Sequence, residues 1–229
     1  MPETPSPRLS ILITAGPTHE PIDQVRYLGN RSSGRLGLAM AEEAARRGHD
    51  TMLLLGPTPM SPTETTHIAL ERFRTTDDLQ SLLRAHWPRF DVLIMAAAVS
   101  DFRPKFPMVD GKIHRLASGL TLDLEPTPDL LTDLASLTRV NQTIVGFALE
   151  EESGLVPAAL EKMDRKKLDA IVANPLQTMD SQTIDATLLY QGGRREIAPR
   201  GMPKESFASW LLDRIETIQL KKQREIGLG

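Results

Sequence analysis

Two apolar runs of the same build, Leu9-Ser-Ile-Leu-Ile-Thr-Ala15 and Asp50-Thr-Met-Leu-Leu-Leu55, each end in a Gly-Pro pair and flank a helix-period segment. A short run that is apolar at nearly every position suits a strand buried on both faces, and such strands belong to parallel sheets. Between them Arg35 to Arg47, RLGLAMAEEAARR, carries Leu36, Met40 and Ala44 at helical spacing and meets Gly48, a residue that ends helices. Strand, helix, strand makes one parallel crossover unit.

The unit recurs along the chain. The pattern predicts a third strand over 67–73, a helix capped at Thr76-Asp77-Asp78 and reaching about His86, and a fourth strand over 91–96. Further strands are expected near 120–125, 143–149 and 169–173, with helices near 128–137 and 156–167. Thr183 to Tyr190 and Arg195 to Ala198 flank Gly192-Gly193 as a hairpin, and Phe207, Trp210, Leu211, Ile215 and Ile218 place a core-facing stripe on a last helix. The predicted fold class is therefore α/β: a Rossmann-like, doubly wound, mostly parallel sheet with an added flap and a C-terminal hairpin. All 229 residues read as a single domain, with residues 1–7, three of them proline, as a disordered tail.

Composition removes several function classes. A formal net charge of -3 with scattered basic residues gives no footprint for nucleic acid or for an anionic membrane surface. Cysteine is absent, which excludes disulfides, thiolate metal sites and cysteine nucleophiles. The five histidines, His19, His49, His67, His86 and His114, show no metal-ligand spacing. No segment has the length and apolarity of a membrane span or the build of a signal sequence, so the expected location is the cytoplasm.

In an open parallel sheet ligands bind beyond the carboxyl ends of the strands. The loop after the first strand, Gly16 to Gly34 (GPTHEPIDQVRYLGNRSSG), is far longer than the usual few residues and is expected to be functional. At its end Ser32, Ser33 and Gly34 bring hydroxyls and N–H groups to a helix start, where negative charge is favoured, although either serine also reads simply as a cap. The glycines come too late for a dinucleotide fingerprint, and Leu53-Leu54-Leu55-Gly56 offers no acidic residue for a ribose. After the fourth strand, Ala96-Ala97-Ala98 lets a ligand lie against the backbone, and Asp101 can hold Mg²⁺ or accept a ribose hydrogen bond, or serve as a turn residue. Arg103 to Gly119 reads as a mobile flap carrying Lys112, placed to meet a phosphoryl group on closure or to stay a solvated surface lysine. Lys162 and Lys166 stand one helical turn apart, a polyphosphate clamp or an ordinary charged face.

Taken together, ILITAGPTHEPIDQVRYLGNRSSGRLG, AAAVSDF, GKIHR, TPDLL, VGFALE and KMDRKKLDAIVAN follow one another as they do in phosphopantothenoylcysteine synthetase, which the chain resembles from about residue 9 to about 212. The resemblance implies a ligase that joins 4′-phosphopantothenate to L-cysteine through an acyl nucleotide. It would consume CTP or ATP with Mg²⁺ and release pyrophosphate, in coenzyme A biosynthesis. It implies Asn30 and Lys112 as catalytic residues. It also implies nucleotide contacts at Gly16, Ser32, Ser33, Gly34, Met95, Ala96, Ala97, Asp101, Pro128, Asp129, Leu130, Leu131, Phe147, Lys162 and Lys166, with Asp101 near the metal. Asp23 and Arg26 match the loop's own ID-x-VR signature and are expected to shape the loop or a dimer contact.

The flap departs from the family pattern: His114 and Arg115 stand where lysines are usual. The flavin-binding decarboxylase half that accompanies the family is absent, so no FMN is expected, and a separate decarboxylase chain is a conceivable partner. The resemblance also implies a homodimer. Two other readings stay open on the residues alone: a nucleotide-binding sensor, which needs the binding groups but neither Asn30 nor Lys112, and an atypical NADP-dependent reductase.

Overall fold

The computed structural model describes residues 8–63, 67–105, 111–115, 119–179 and 181–227. The expected tail and parts of the expected flap, 106–110 and 116–118, lie outside the described residues. In chain order the first half contains β1 (Ser10–Ala15), β2 (His19–Pro21), β3 (Tyr27–Gly29), α1 (Arg35–Arg46), β4 (Asp50–Leu55), β5 (Ile68–Arg72), α2 (Thr76–His86), β6 (Val92–Met95) and β7 (Phe102–Pro104). The second half contains β8 (Leu124–Pro126), α3 (Leu130–Leu134), β9 (Thr143–Glu150), α4 (Leu155–Lys166), β10 (Ala170–Pro175), β11 (Thr183–Ile184), β12 (Thr187–Tyr190), β13 (Arg195–Ile197), β14 (Met202–Pro203) and α5 (Lys204–Glu225).

The main sheet has eight strands in the order β13-β12-β10-β9-β6-β1-β4-β5. From β5 to β9 every pair is parallel, and β12 and β13 close the far side antiparallel, as the hairpin pattern predicts. Alternation along β1 sorts the two faces. Ile11, Ile13 and Ala15 pack under α1 and α5, whereas Leu12 joins Leu54, Leu93, Leu79, Leu83 and Trp87 beneath α2, α3 and α4. Burial on both faces explains why these strands lack polar alternation.

Helix α1 packs close on β1 at Gly37, where a Cβ would stand 2.4 Å from the Ala15 Cβ, and glycines also meet where the helix begins. Gly34 caps it in the left-handed conformation at φ 74°, and a Cβ there would stand 3.3 Å from Gly16 Cα. A Cβ on Gly56 would stand 2.2 Å from the Pro17 carbonyl oxygen, closer than any real contact. The other end of α1 is tied to α5 by charge: Arg47 donates to Glu216 at 2.8 Å and Asp213 at 2.7 Å. Hydrogen bonds from Arg46, then Arg47 and Ser209, outweigh burial and hold the Glu43 carboxyl at about 2.

Four expectations need correction. The strand expected over 120–125 is the short β8, which pairs antiparallel with β7 outside the main sheet. Its Leu-Thr-Leu-Asp-Leu-Glu alternation leaves one polar face and cannot be buried on both sides. The helix expected over 128–137 is the five-residue α3. Residues 183–190 do not form one strand: β11 turns away to pair with β14, and Asp185 marks the break by accepting from Gly201 N at 2.7 Å. Helix α2 is capped by Thr75 rather than Thr76, in a reciprocal box with Asp78.

The glycine approach predicts that Gly56→Ala destabilises the fold by about 1–3 kcal/mol, the usual penalty of overpacking, because neither the Pro17 carbonyl nor the Phe73 ring can retreat freely. Urea midpoints of the two proteins measure it.

Candidate active site

The strand order places the topological switch between β1 and β6, since the chain fills β4 and β5 on one side of β1 before crossing to β6 on the other. The long first loop and the loop after β6 leave the sheet side by side there. Ala98 N donates to Gly16 O at 2.9 Å, Thr18 N donates to Ala98 O at 3.2 Å, and Ser100 N donates to Thr18 Oγ1 at 2.9 Å. Thr14 Oγ1 receives Ala97 N at 3.1 Å and donates to the Met95 sulfur at 3.4 Å. The two loops therefore form one seam.

The first loop is folded rather than slack. Strands β2 and β3 pair as a small antiparallel hairpin, with His19 stacked on Tyr27 at a ring separation of 3.5 Å. Burial, aided by Arg74, pushes the His19 imidazole below its ordinary pKa, so it is neutral at pH 7. Buried Glu20 accepts from Thr76 N at 2.8 Å and Thr76 Oγ1 at 2.7 Å, anchoring the hairpin to the start of α2. Past the hairpin, Asn30 donates from Nδ2 to Val99 O at 2.9 Å, which brings it onto the seam.

Ser32 and Ser33 lead into α1, yet neither makes a close cap. Gly34 N reaches Ser32 Oγ, and Arg35 N reaches Ser33 Oγ, both at 3.4 Å. Helix starts leave N–H groups without intrahelical partners, and α1 has no acidic residue in its first turn to compete for them. Thr58, after β4, donates to Ser33 O at 2.8 Å. Together Pro17, His19, Tyr27, Asn30, Ser33 and Thr58 wall a cleft of about 620 Å³, a volume suited to a small-molecule substrate.

On the opposite side of the seam lie the cations of α4. Lys162 Nζ donates to Phe147 O at 2.8 Å, at the carboxyl end of β9. Burial and the neighbouring Lys166 push the Lys162 ammonium below its ordinary pKa, against the pull of Asp101, Glu150 and Asp129. Lys166 pairs with Asp129 at 3.1 Å, and Asp129 caps α3 through Thr132 N at 3.3 Å. Although burial opposes ionisation of Asp129, Lys166 and Thr132 outweigh it and hold the carboxyl below its usual range. Lys166 is thus the neighbour that most disfavours charge on Lys162.

The expected residues thus fall into two groups on one edge. Asn30, Ser32, Ser33 and Gly34 stand on the β1 side, and Ala96, Ala97, Asp101, Pro128, Asp129, Phe147, Lys162 and Lys166 on the β6–β9 side. Met95, Leu130 and Leu131 have buried side chains and offer the edge only their backbone. Among the described residues no three acidic or histidine side chains converge to hold a metal by themselves. Exposed Asp101 suits Mg²⁺, which takes one or two carboxylates together with substrate phosphates. Lys112 is exposed, and its neighbours are held by the first loop: Asp23 Oδ2 accepts from Ile113 N at 3.0 Å, and Gln24 N donates to Gly111 O at 3.2 Å. His114 and Arg115 are exposed beside it. A second cleft, of about 570 Å³, lies at the opposite sheet end between the hairpin and α5, where Tyr190, Arg194 and Arg214 all engage Glu196.

Only a hydroxyl beside a turn marks Thr18, Ser100 and Thr127, which lock the seam, and Thr58, which ties the first loop to the segment after β4 instead. Thr127 Oγ1 donates to Ser100 O at 2.5 Å. Ser100 Oγ is buried and, among the described residues, is the one such side-chain polar atom with no hydrogen-bond partner.

Residues 8–218 match the family described as the DNA/pantothenate metabolism flavoprotein C-terminal domain. Among curated relatives, a protein named cysteine/cysteine sulfinic acid decarboxylase, from an unknown prokaryotic organism, is 39% identical over 167 residues, 73% of this chain and 46% of the relative. The coenzyme A biosynthesis bifunctional protein CoaBC of Escherichia coli strain K12 is 34% identical over 223 residues, 94% of this chain and 53% of the relative. The chain spans about half the length of these curated relatives. A crystal structure of the C-terminal domain of a coenzyme A biosynthesis bifunctional protein CoaBC superposes with a TM-score of 0.80 at 31% identity, covering 95% of this chain and 100% of that one.

The orphaned hydroxyl predicts that Ser100→Ala leaves stability unchanged or raises it, whereas Thr18→Val, which strands the Ser100 N–H, costs about 1–3 kcal/mol. Thermal and urea midpoints of both variants decide this.

Proposed function

The chain belongs to the DNA/pantothenate metabolism flavoprotein C-terminal domain family, and from that premise we propose that it is a phosphopantothenate–cysteine ligase working through an acyl nucleotide. The observation that carries the reading is the pairing of Asn30 with Val99 O, which joins the cleft at the start of α1 to the cationic edge of β6 and β9. Two reactants seated on either side of that seam meet at one place, and this proximity lowers the entropic part of the barrier.

In this reaction the carboxylate of 4′-phosphopantothenate attacks the α-phosphorus of CTP or ATP. The bond from the α-phosphorus to the bridging oxygen breaks, and pyrophosphate leaves with that electron pair. The amine of L-cysteine then attacks the acyl carbon, loses a proton, and expels the nucleoside monophosphate. Each step passes negative charge through phosphoryl or acyl oxygens, so fixed donors lower both barriers. Lys112 supplies a cation at the α-phosphate. Lys162 and Lys166 face the nucleotide, and its charge relieves their mutual repulsion, while Asn30 steadies the acyl nucleotide during capture. Ser32, Ser33 and the first N–H groups of α1 receive phosphate oxygens. Asp101 would hold Mg²⁺, which would supply neutralising charge to phosphoryl oxygens.

The working unit is a homodimer in this reading. Phe102, Leu120, Leu122 and Leu124, on and just before the β7–β8 pair, expose apolar side chains next to the site, a surface that a second copy would cover. The nucleotide sensor and reductase readings have less support, because a sensor has no use for Lys112 on the strap of residues 111–115 and no nicotinamide-type fingerprint follows β1.

Purified protein with Mg²⁺, 4′-phosphopantothenate and either CTP or ATP is expected to release pyrophosphate only when the pantothenate is present, the faster nucleotide being the physiological one. Lys112→Gln should suppress that release by at least about a hundredfold, the scale of one lost transition-state charge contact, and Asn30→Asp should keep the first half-reaction but slow turnover with cysteine. Absence of release with both nucleotides would sink the ligase reading. Leu122→Glu should convert the dimer to monomer in sedimentation, and a wild-type monomer would end the dimer reading.

A further inference from the structure

Beside the candidate site, the ID-x-VR run of the first loop gathers a set of hydrogen bonds around one carboxylate. Asp23 is buried and its carboxylate accepts four hydrogen bonds: Oδ1 takes Val25 N at 2.8 Å and Arg26 N at 2.6 Å, and Oδ2 takes Arg26 Nη1 and Ile113 N, both at 3.0 Å. Arg26 completes the pattern by donating from Nη1 and Nη2 to Ile113 O, each at 3.2 Å. One residue earlier on the strap, Gly111 O accepts from Gln24 N at 3.2 Å. The peptide groups on both sides of Lys112 are therefore held by residues 23–26, while Lys112 itself is exposed.

We propose that Asp23 and Arg26 form a latch that positions Lys112, so that they are positioning residues of the proposed ligase rather than catalytic ones. The inference rests on the assignment of Lys112 under the proposed function. A lysine on an unrestrained strap must be ordered each time the transition state forms, and a latch removes that ordering from the reaction coordinate. The chemistry of the pair suits this use. Aspartate presents two acceptor oxygens to four donors, and an asparagine would turn an NH₂ group toward N–H donors. Arginine's planar fork reaches the Asp23 carboxylate and the Ile113 carbonyl at once, which a lysine point charge does not. Arg26 remains partly open to solvent, so its contribution is geometric more than energetic.

Two readouts test the latch. Trypsin cleavage after Lys112, followed by mass spectrometry on the folded protein, reads strap release independently of any activity. Asp23→Asn and Arg26→Lys are expected to speed that cleavage by about tenfold or more while the global thermal midpoint stays near that of the wild type, the mark of local opening. In pyrophosphate release, Asp23→Asn should lower kcat by about tenfold with KM for the nucleotide within about twofold, and Asp23→Asn with Lys112→Gln should be no slower than Lys112→Gln alone. Unchanged cleavage in both variants overturns the latch. Faster cleavage with multiplicative kinetic effects leaves a loop clamp but overturns its role in positioning Lys112. A wild-type protein that releases no pyrophosphate overturns the ligase reading and the positioning role with it, while the cleavage result still decides whether the clamp exists.

Discussion

Everything at the ligand edge depends on how closely α1 approaches the first two parallel strands. On the face of α1 toward β1, Gly37 rests against Ala15, where an added Cβ would stand 2.4 Å from the Ala15 Cβ; where the loop meets the helix, Gly34 lies tight against Gly16; and beside them the Pro17 carbonyl leaves no room for a Cβ on Gly56. This contact sets the height of the α1 N-terminus above the sheet. It also leaves the loop between Gly16 and Gly34 with both ends pinned within a few ångströms of each other. A loop closed that tightly has to spend its length sideways, and it does so as the β2–β3 hairpin lying toward α2 and β7. The cleft beside the hairpin and the seam with the loop after β6 are consequences of that geometry.

Charge is distributed to match. The basic groups of the candidate site come from elements far apart in sequence: Lys112 from the strap, Lys162 and Lys166 from α4. Each is held by a different device, namely the loop clamp, the Phe147 carbonyl and the Asp129 carboxylate. The lysine ammonium of Lys162 lies below its ordinary pKa through burial and through Lys166, which means that the protein sustains a local repulsion at its ligand edge. The acidic partners Asp129, Asp101 and Glu150 moderate the repulsion without cancelling it.

Much of this was legible beforehand, for reasons that differ by element. The buried strands β1, β4, β6, β9 and β10 declared themselves because a strand covered on both faces admits little polar residue, and the apolar run is then its own boundary marker. Helices α1, α2 and α4 followed from apolar spacing and terminal residues. The hairpin β12–β13 came from its glycine pair. The sequence pattern is weak where an element is short or solvated: β8 alternates like a sheet strand but pairs only with β7, α3 spans five residues where the pattern suggests ten, and nothing in the loop marks the β2–β3 pair. In these places side-chain pattern is weak, and pairing with a distant partner decides the outcome.

Taken by itself, the sequence determined the alternation of strand and helix, the abnormal length of the first loop, and the residue types able to meet phosphate at Ser32, Ser33, Lys112 and Lys162. These are local properties, written within a few turns or strand residues of each other. Only the tertiary structure decided that Asn30 meets Val99, 69 residues away, and that Asp23 holds Ile113, 90 residues away. Strand order and the glycine contact at α1 bring those segments together, and neither is encoded in any window of sequence, because each is the outcome of packing all the elements onto one sheet at once.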